Sequence, residues 1–414
     1  MKSLNNKCSI NQSSKEKYLE IAYLILLFQY ICLSIFIFSK MYYFITDHFI
    51  ECLTLLKYVN FGTAIALIVI YILKKHNGVK EILLQTALVL LFSIVCYNNQ
   101  RIWIYSNQST FFVVIALFMV CATCTNFEKI TKISLFTVLF CVLTNFVFSQ
   151  TGLIEDVLEP RFGGTAHAFG FHHYSIPYYY MLFVWLAYIF LRKKELPWAE
   201  IVAEYMFSVF LYKLTTSRLA LICSTISFLM YVVIVKLKAV KLTWKITKIF
   251  AAVGFPLMAL GTNIVAIIYS DLINFGWFGK INGMLSGRLY MNYVAMQRYD
   301  IKLFGQTIIP YENGEFFFLD SGYMYELIGG GIIFYIFILA MYSFMNYYAC
   351  KTNNKLLFIW ITTIMIFTFV NDVWVSIAYT PIMLAFFIFL KDFKGKEEKI
   401  ICHDAEKPKT EQDV

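Results

Sequence analysis

The chain has 414 residues, of which 60% are hydrophobic and only 15% are charged. This balance, with a mean hydropathy of +0.66, excludes a soluble globular domain of this length and indicates a polytopic membrane protein. The formal net charge of +9 does not indicate a nucleic-acid partner, because the basic residues lie in short loops where anionic lipid headgroups are their ordinary partners.

The apolar stretches predict an all-α fold with about twelve transmembrane helices, since each is long enough, or nearly so, to cross a bilayer. Residues 1–17 form a polar N-terminal tail without signal-peptide features. Residues 18–390 form a single transmembrane domain, and the charged tail 391–414 is predicted to be disordered. The predicted spans are 18–38, 54–73, 82–98, 105–126, 131–149, 175–191, 197–213, 217–235, 246–269, 319–345, 355–371 and 373–390.

The positions of Lys and Arg predict the orientation of these spans. If the N-terminus is cytoplasmic, 25 of the 35 Lys and Arg fall in cytoplasmic loops or tails. The positive-inside rule then places both termini in the cytoplasm. Separately, the usage of Lys, Asn, Ile and Phe indicates an AT-rich bacterial genome, so the expected location is a bacterial cell membrane. Two external loops, about 150–174 and 270–318, are much longer than the other connections, and loops of this length are usually functional. The stretch Leu289 to Tyr299 in the second loop predicts a helix lying along the outer interface.

Arginines are the informative residues of the external side, where orientation alone disfavours them. An Arg binds phosphate through two parallel N–H groups, stays charged, and is easier to desolvate than Lys. For Arg218 and Arg288 we predict contact with a lipid-linked pyrophosphate or an anionic sugar. Contact with headgroups or helix ends is the alternative for the whole set, which is Arg101, Arg161, Arg218, Arg288 and Arg298.

The first external loop also carries His167, His172 and His173 within a dozen residues of Arg161. A neutral imidazole is the usual general base for a hydroxyl proton, and a solvated loop is the alternative. Asp320 opens a predicted span, where a helix N-cap is its ordinary role.

Three further features of the chain lie within predicted spans. Glu326 is a candidate functional carboxylate because it lies within a predicted span. The run Gly329-Gly330-Gly331 predicts close helix packing rather than binding. Cys121 and Cys124 form a CxxC inside an apolar stretch without a second pair, so we expect packing and no metal site.

Four short motifs between residues 160 and 335 resemble those of the Wzy-type O-antigen and capsular polysaccharide polymerases, within the O-antigen ligase superfamily. The chain departs from the family pattern at Tyr174-Ser175, where Pro-Asn is usual. The motifs are Gly170-Phe171-His172-His173, Thr216-Ser217-Arg218, Ser286-Gly287-Arg288 followed by Phe304-Gly305, and Asp320-Ser321-Gly322-Tyr323.

This resemblance implies a glycosyltransferase that needs neither a metal nor another cofactor. It would transfer a glycan chain from undecaprenyl pyrophosphate to a lipid-linked repeat unit at the outer face of the membrane. His173, or as second choice His172, would take the acceptor proton, while Arg288 and Arg218 stabilise the leaving pyrophosphate. The implied substrate-binding residues are Arg161, His172, Asp320 and Tyr323. The implied partners are undecaprenyl-pyrophosphate-linked oligosaccharides, the bilayer, a flippase and a chain-length regulator.

Two other functions compete with this interpretation. A ligase of the same superfamily would move a finished glycan to a lipid or wall acceptor, and the sequence does not separate it from a polymerase. A flippase or transporter of polysaccharide would show internal repeats or charges at the membrane midplane. Here no repeat is evident and the distinctive charge lies at the outer surface, which favours an enzyme.

Overall fold

The computed structural model describes residues 2–48, 51–76, 78–99, 109–161, 164–309, 311–312 and 315–394. Arg101 and residues 395–414 of the predicted C-terminal tail lie outside these residues. The described chain is mostly helical, with two short antiparallel hairpins. An all-α membrane protein was expected, and the helical content agrees with it.

The helices are numbered in chain order. In the first half they are α1 Lys2–Ile37, α2 Met41–His48, α3 Glu51–Leu73, α4 Val79–Asn99, α5 Ser109–Cys121, α6 Phe127–Gln150, α7 Ser175–Arg192 and α8 Trp198–Thr215. In the second half they are α9 Arg218–Tyr231, α10 Lys245–Ile267, α11 Tyr269–Leu272, α12 Gly276–Met284, α13 Arg288–Arg298, α14 Gly322–Tyr325, α15 Gly331–Lys351 and α16 Lys355–Thr368. The hairpins pair β1 Leu158–Arg161 with β2 Gly164–His167, and β3 Tyr311–Glu312 with β4 Glu315–Phe316.

Six of the described helical segments are long and apolar enough to cross a membrane, so the protein is membrane-embedded. Their surfaces agree, because large apolar side chains such as Leu257, Leu260 and Ile264 of α10 are exposed, as a lipid-facing surface requires. The total of twelve spans and their orientation stay predictions. The six segments are Ser14–Ile37, Val79–Asn99, Phe127–Gln150, Arg218–Lys236, Lys245–Ile267 and Gly322–Lys351.

The predicted last span, 373–390, is not one continuous helix. After α16 ends at Thr368, an irregular segment leads to a short 3₁₀ helix, Pro381–Ala385, and helical residues resume at 386–394. Pro381 has no N–H to continue a helix from before it, and the Thr380 hydroxyl accepts from Ile382 N. The irregular segment is buried, with Trp374 fully inside the bundle.

The centre of the bundle brings several helix ends together at one end. Ser227 of α9 and Thr363 of α16 share a hydroxyl contact of 2.9 Å. Cys223, one turn nearer the start of α9, lies within electrostatic range of Arg288, which contacts Val370 just after α16. The two helices therefore run antiparallel. Near the start of α7, the Tyr179 ring lies 4.8 Å from Phe367, close to the end of α16. Tyr323, at the start of α14, donates to Met365 O at 2.8 Å. We call this the site end, where α7, α9 and α14 begin and α16 ends.

At the site end, the helical segment from α14 to α15 departs from regular α-helical geometry. Between α14 and α15 lies one π-helical stretch, Glu326–Gly330, and Gly331 follows with φ of 81°. The loop before β3 lies directly on this break, because Ile332 N donates to Lys302 O at 3.0 Å. A Cβ on Gly305 would lie 1.9 Å from Gly329 O. The glycine run therefore serves close packing, as predicted, against this loop and, at Gly329, against Asn99 at the end of α4.

Candidate functional site

Arg288 is held at the first position of α13 by backbone and carboxylate acceptors. Ser286 and Gly287 turn the chain with φ of 56° and 80°. The guanidinium then donates from Nε to Val370 O at 2.8 Å and from Nη1 to Leu285 O at 3.3 Å. Because Val370 follows α16, Arg288 lies at the site end of the bundle. Its side chain is 14% exposed, so the charge is substantially desolvated.

Asp320 is the charged partner of Arg288. Its Oδ2 lies 2.7 Å from Arg288 Nη2, and its side chain is 40% exposed. The N-cap role that the sequence offered as the ordinary explanation is wrong, because α14 begins at Gly322 with Ser321 as its N-cap residue. Two of the five guanidinium N–H groups of Arg288 thus bind backbone carbonyls, and Asp320 supplies the opposite charge beside Nη2.

The turn before α7 determines the directions of the histidine side chains. Gly170 has φ of 80°, and a Cβ there would lie 2.5 Å from Ile154 Cδ1 and 3.0 Å from Asn145 O. Its carbonyl accepts from Lys40 N at 2.7 Å. Only glycine satisfies both the backbone conformation and this close approach. The Gly-Phe part of the motif is therefore structural.

The charges of two ion pairs, Arg288 with Asp320 and Arg161 with Glu159, act on the pKa of His173. His173 is exposed at the surface, and desolvation by the neighbouring side chains is the largest cause lowering its pKa below the ordinary value. Glu159 and Asp320 act to raise the pKa, and Arg161 and Arg288 act to lower it. The net direction is downward, so the imidazole is neutral near pH 7.

The hydrogen bonds of His173 bear on which ring nitrogen can act. Nδ1 lies 2.6 Å from Ser175 Oγ and 3.3 Å from Ser175 N. The backbone N–H can only donate, so this contact places the neutral ring's proton on Nε2. In that tautomer Nε2 is a donor to the site. Action as a base at Nε2 requires the other tautomer, in which Nδ1 donates to Ser175 Oγ.

Arg161 and Tyr174 complete the charged surface around His173. The Arg161 guanidinium lies 4.4 Å over the Tyr174 ring, and its Nε is 3.1 Å from Glu159 Oε1. The Tyr174 ring centroid is 4.0 Å from that of His173. Burial raises the pKa of Tyr174 to about 12, so its hydroxyl stays neutral. Arg161 is thereby connected to the Arg288 side of the site through two aromatic rings.

Three predicted residues point elsewhere. The His172 ring lies 5.5 Å from the Tyr43 ring, and burial together with Lys40 lowers its pKa. His172 thus faces α2, away from the Arg288 cluster. His167 Nδ1 binds Asp156 Oδ2 at 2.7 Å and supports the hairpin loop. Tyr323 is fully buried and lies beneath the site rather than at its surface.

Arg218 opens α9, as the Thr-Ser-Arg pattern predicted for a helix start. It is half-buried, and Ser217 before it is buried. Since α9 packs antiparallel to α16, Arg218 lies at the same end of the bundle as Val370, which holds Arg288.

An apolar cavity of about 400 Å³ lies between α6, α7, α8 and α9. Tyr178 lines it one turn from the start of α7, and Ser224 lines it two turns from the start of α9. Trp185 and Phe228 contribute aromatic walls, and Glu204 is the one carboxylate among the described lining residues. The cavity therefore extends from near the site end into the depth of the apolar helices.

Sequence reasoning missed Glu159, Tyr174 and Ser175. Glu159 and Arg161 lie on the same strand two residues apart, a spacing that puts both side chains on one face. That strand was not predicted, so the pair was not recognised. No sequence signal pointed to the Val370 carbonyl, because backbone acceptors carry no residue signature.

No group of three or more His, Cys, Asp or Glu that could hold a metal ion is present among the described residues. Cys121 is buried and its Sγ donates to Leu67 O at 3.3 Å, which fits the expected packing role. Comparison of the chain with protein-family models, with curated proteins and with solved structures finds no match. The functional assignment therefore depends on the site itself.

Proposed function

We propose that the protein is a polysaccharide polymerase that joins lipid-linked repeat units at the membrane surface. One observation carries the proposal: separate segments bring Arg288, Asp320, Arg161 and His173 together at one end of a membrane-embedded bundle. Desolvated arginines around a neutral imidazole suit a reaction in which a phosphate leaves and a hydroxyl loses a proton. The topology predicted from Lys and Arg puts this end outside the cytoplasm.

The reaction balances with the residues of the site. The acceptor sugar hydroxyl attacks the anomeric carbon of the donor glycan, and the bond from that carbon to the pyrophosphate oxygen breaks. The pyrophosphate keeps the electron pair, and Arg288 and Arg218 stabilise its growing charge. His173 takes the hydroxyl proton at Nε2, with Ser175 Oγ accepting from Nδ1 in that tautomer.

The two ion pairs give the arginines a resting partner. Asp320 and Glu159 neutralise Arg288 and Arg161 while no substrate is bound. An incoming pyrophosphate would bind guanidinium N–H groups that Val370 O and Leu285 O do not use, so the backbone contacts of Arg288 could stay in place. The phosphate would replace Asp320 as the charged partner of Arg288, because both are anions that bind the same guanidinium.

The apolar cavity is suited to the lipid part of such a substrate. Its walls are mostly apolar, and it begins within two helical turns of the site end. Apolar cavities of this size hold ligands by burying hydrocarbon surface. A polyprenyl chain entering here would leave its pyrophosphate at the level of the arginines.

The test is an analysis of lipid-linked oligosaccharides in a deletion strain complemented with variants. A polymerase defect accumulates single lipid-linked repeats and abolishes long chains. A ligase defect instead leaves long chains that are not attached to their final acceptor, and a flippase defect traps repeats on the cytoplasmic side. Either of the last two results would contradict the proposal.

Matched variants connect that phenotype to the site. We expect His173→Ala to reproduce the deletion phenotype at normal membrane abundance, whereas His167→Ala should preserve long chains, because its ring only supports the loop. Normal chains from His173→Ala would remove the imidazole from the mechanism.

A further inference from the structure

The helix α12 exposes an apolar stripe that nothing in the described chain covers. Trp277, Ile281 and Met284 are 58%, 40% and 58% exposed, and their spacing puts them on one face. Phe275, just before the helix, is 56% exposed. About a quarter-turn around the helix from this stripe, Phe278 packs on Tyr269 and Leu289. The helix is thus fixed to the protein by one face and presents the stripe outward.

This stripe continues the lipid-facing surface of α10. Exposed apolar residues follow α10 to its end, including Ile264 at 45% and Ile267 at 61%. The short helix α11 comes directly after, and Ile268 and Ile273 keep exposed apolar surface on the way to α12. The lipid-facing surface of α10 therefore continues through these exposed residues to the apolar stripe of α12.

We propose that α12 lies in the membrane interface at the site end and docks on phospholipid. Its Trp277 belongs at headgroup level, where an indole has both an apolar body and a polar edge. Ile281 and Met284 would enter the acyl boundary, and exposed Lys280 would reach a lipid phosphate. Continuity with the lipid face of α10 favours lipid over a protein partner.

The sequence predicted an interfacial helix in the neighbouring stretch, Leu289 to Tyr299. A helix does form there, as α13, but it packs onto the protein instead. Leu289, Asn292 and Ala295 are buried on one face of α13, and Gln297 and Arg298 are on its exposed side. The hydrophobic pattern of Leu289 to Tyr299 therefore reflects the packing of α13 against α10 and α11. The interfacial role moves to α12.

Docking of α12 would set the depth of Arg288 in the membrane. Only three residues separate the end of α12 from Arg288, and the corner is tightly bonded. Gly287 N donates to Asn282 O at 2.8 Å, and Ser286 N donates to Gly283 O at 3.1 Å. The corner thus moves with α12. This consequence rests on the proposed function, because it assigns Arg288 to a phosphate whose depth the bilayer fixes.

The docking is tested in the full-length protein on a cysteine-depleted background in nanodiscs of phosphatidylcholine and phosphatidylglycerol. A nitroxide attached to Ile281→Cys should be more accessible to oxygen than to a water-soluble nickel chelate. Labels on Ile264→Cys and Asp300→Cys serve as the membrane and water controls. Nickel access at 281 equal to that at 300 would overturn the proposal. Low access to both reagents with spin–spin broadening would indicate a second copy instead, and would overturn it too.

The depth role has its own readout. Ile281→Asp should lift α12 from the interface and cause loss of long chains, and Ile281→Leu should preserve them. If the nitroxide on Ile281→Cys is exposed to lipid but Ile281→Asp still makes long chains, the docking stands and the depth role is refuted. If the deletion strain has no polymer defect, the proposed function fails, and the nitroxide result still decides the docking.

Discussion

Replacing Arg288 by Lys separates phosphate recognition from general attraction to the membrane. Arg288 makes three contacts with Val370 O, Leu285 O and Asp320, and a single ammonium group cannot make all of them. The two backbone contacts contribute about 1 kcal/mol each to folding. Loss of one charge-assisted contact in a desolvated transition state costs on the order of 3 kcal/mol. That is roughly a hundredfold in rate.

The assay is polymer length on a gel, with membrane abundance measured in parallel. Arg288→Lys should stop chain growth at near-normal abundance. Arg298→Lys is the matched control, because Arg298 ends the same helix and lies 5.1 Å over the Phe317 ring, where another cation serves as well. Headgroup attraction alone, about 1 kcal/mol per residue, would make both substitutions harmless. Full-length polymer from Arg288→Lys would therefore indicate that Arg288 only attracts lipid headgroups. A large loss of the protein from the membrane would indicate that Arg288 is needed for folding.

Three further predictions follow from the site and the topology. Arg161→Gln removes a cation that lowers the pKa of His173, so this pKa should rise. NMR of ¹³C-labelled histidine measures it, with His173→Asn to assign the signal, and an unchanged pKa would contradict the proposed effect of Arg161. Ser175→Ala should reduce activity and move the acid limb of its pH profile, because it removes the acceptor that holds the base tautomer; an unchanged profile would exclude that tautomer. Cysteines placed at Gly164 or Glu312 should be labelled only from outside the cell, and labelling from the cytoplasmic side alone would refute the topology.

Helix positions were predictable because a long apolar run in a membrane has few alternatives to a helix. Most predicted spans agree with a helix to within a few residues. The exceptions occur where the chain satisfies its backbone by other means. The stretch 373–390 is apolar enough to span, but its first half is an irregular segment buried among other helices, where hydropathy cannot distinguish protein from lipid.

The site was predictable only in part, because its side chains come from segments far apart in sequence. The motif resemblance grouped Arg288 and His173 in one site, and the structure places Arg288 close enough to act on the pKa of His173. The direction of a side chain depends on tertiary packing, and this separated His173 from His172, although the two are adjacent. Tyr323 is buried for the same reason. Its motif position suggested substrate contact, whereas its hydroxyl binds the α16 backbone.

The contact of Gly305 with Gly329 and Gly331 restricts how the long loop after α13 can move. A methyl group at Gly305 would overlap the helix backbone, and the bond from Ile332 N to Lys302 O fastens the same segment. From Lys302 to Gly305, the loop is thus part of the α15 wall and cannot swing as a lid. Under the proposed function, a growing glycan would have to pass this edge without moving it. Bulky residues introduced along the edge would then be expected to limit the chain length of the product rather than its initiation.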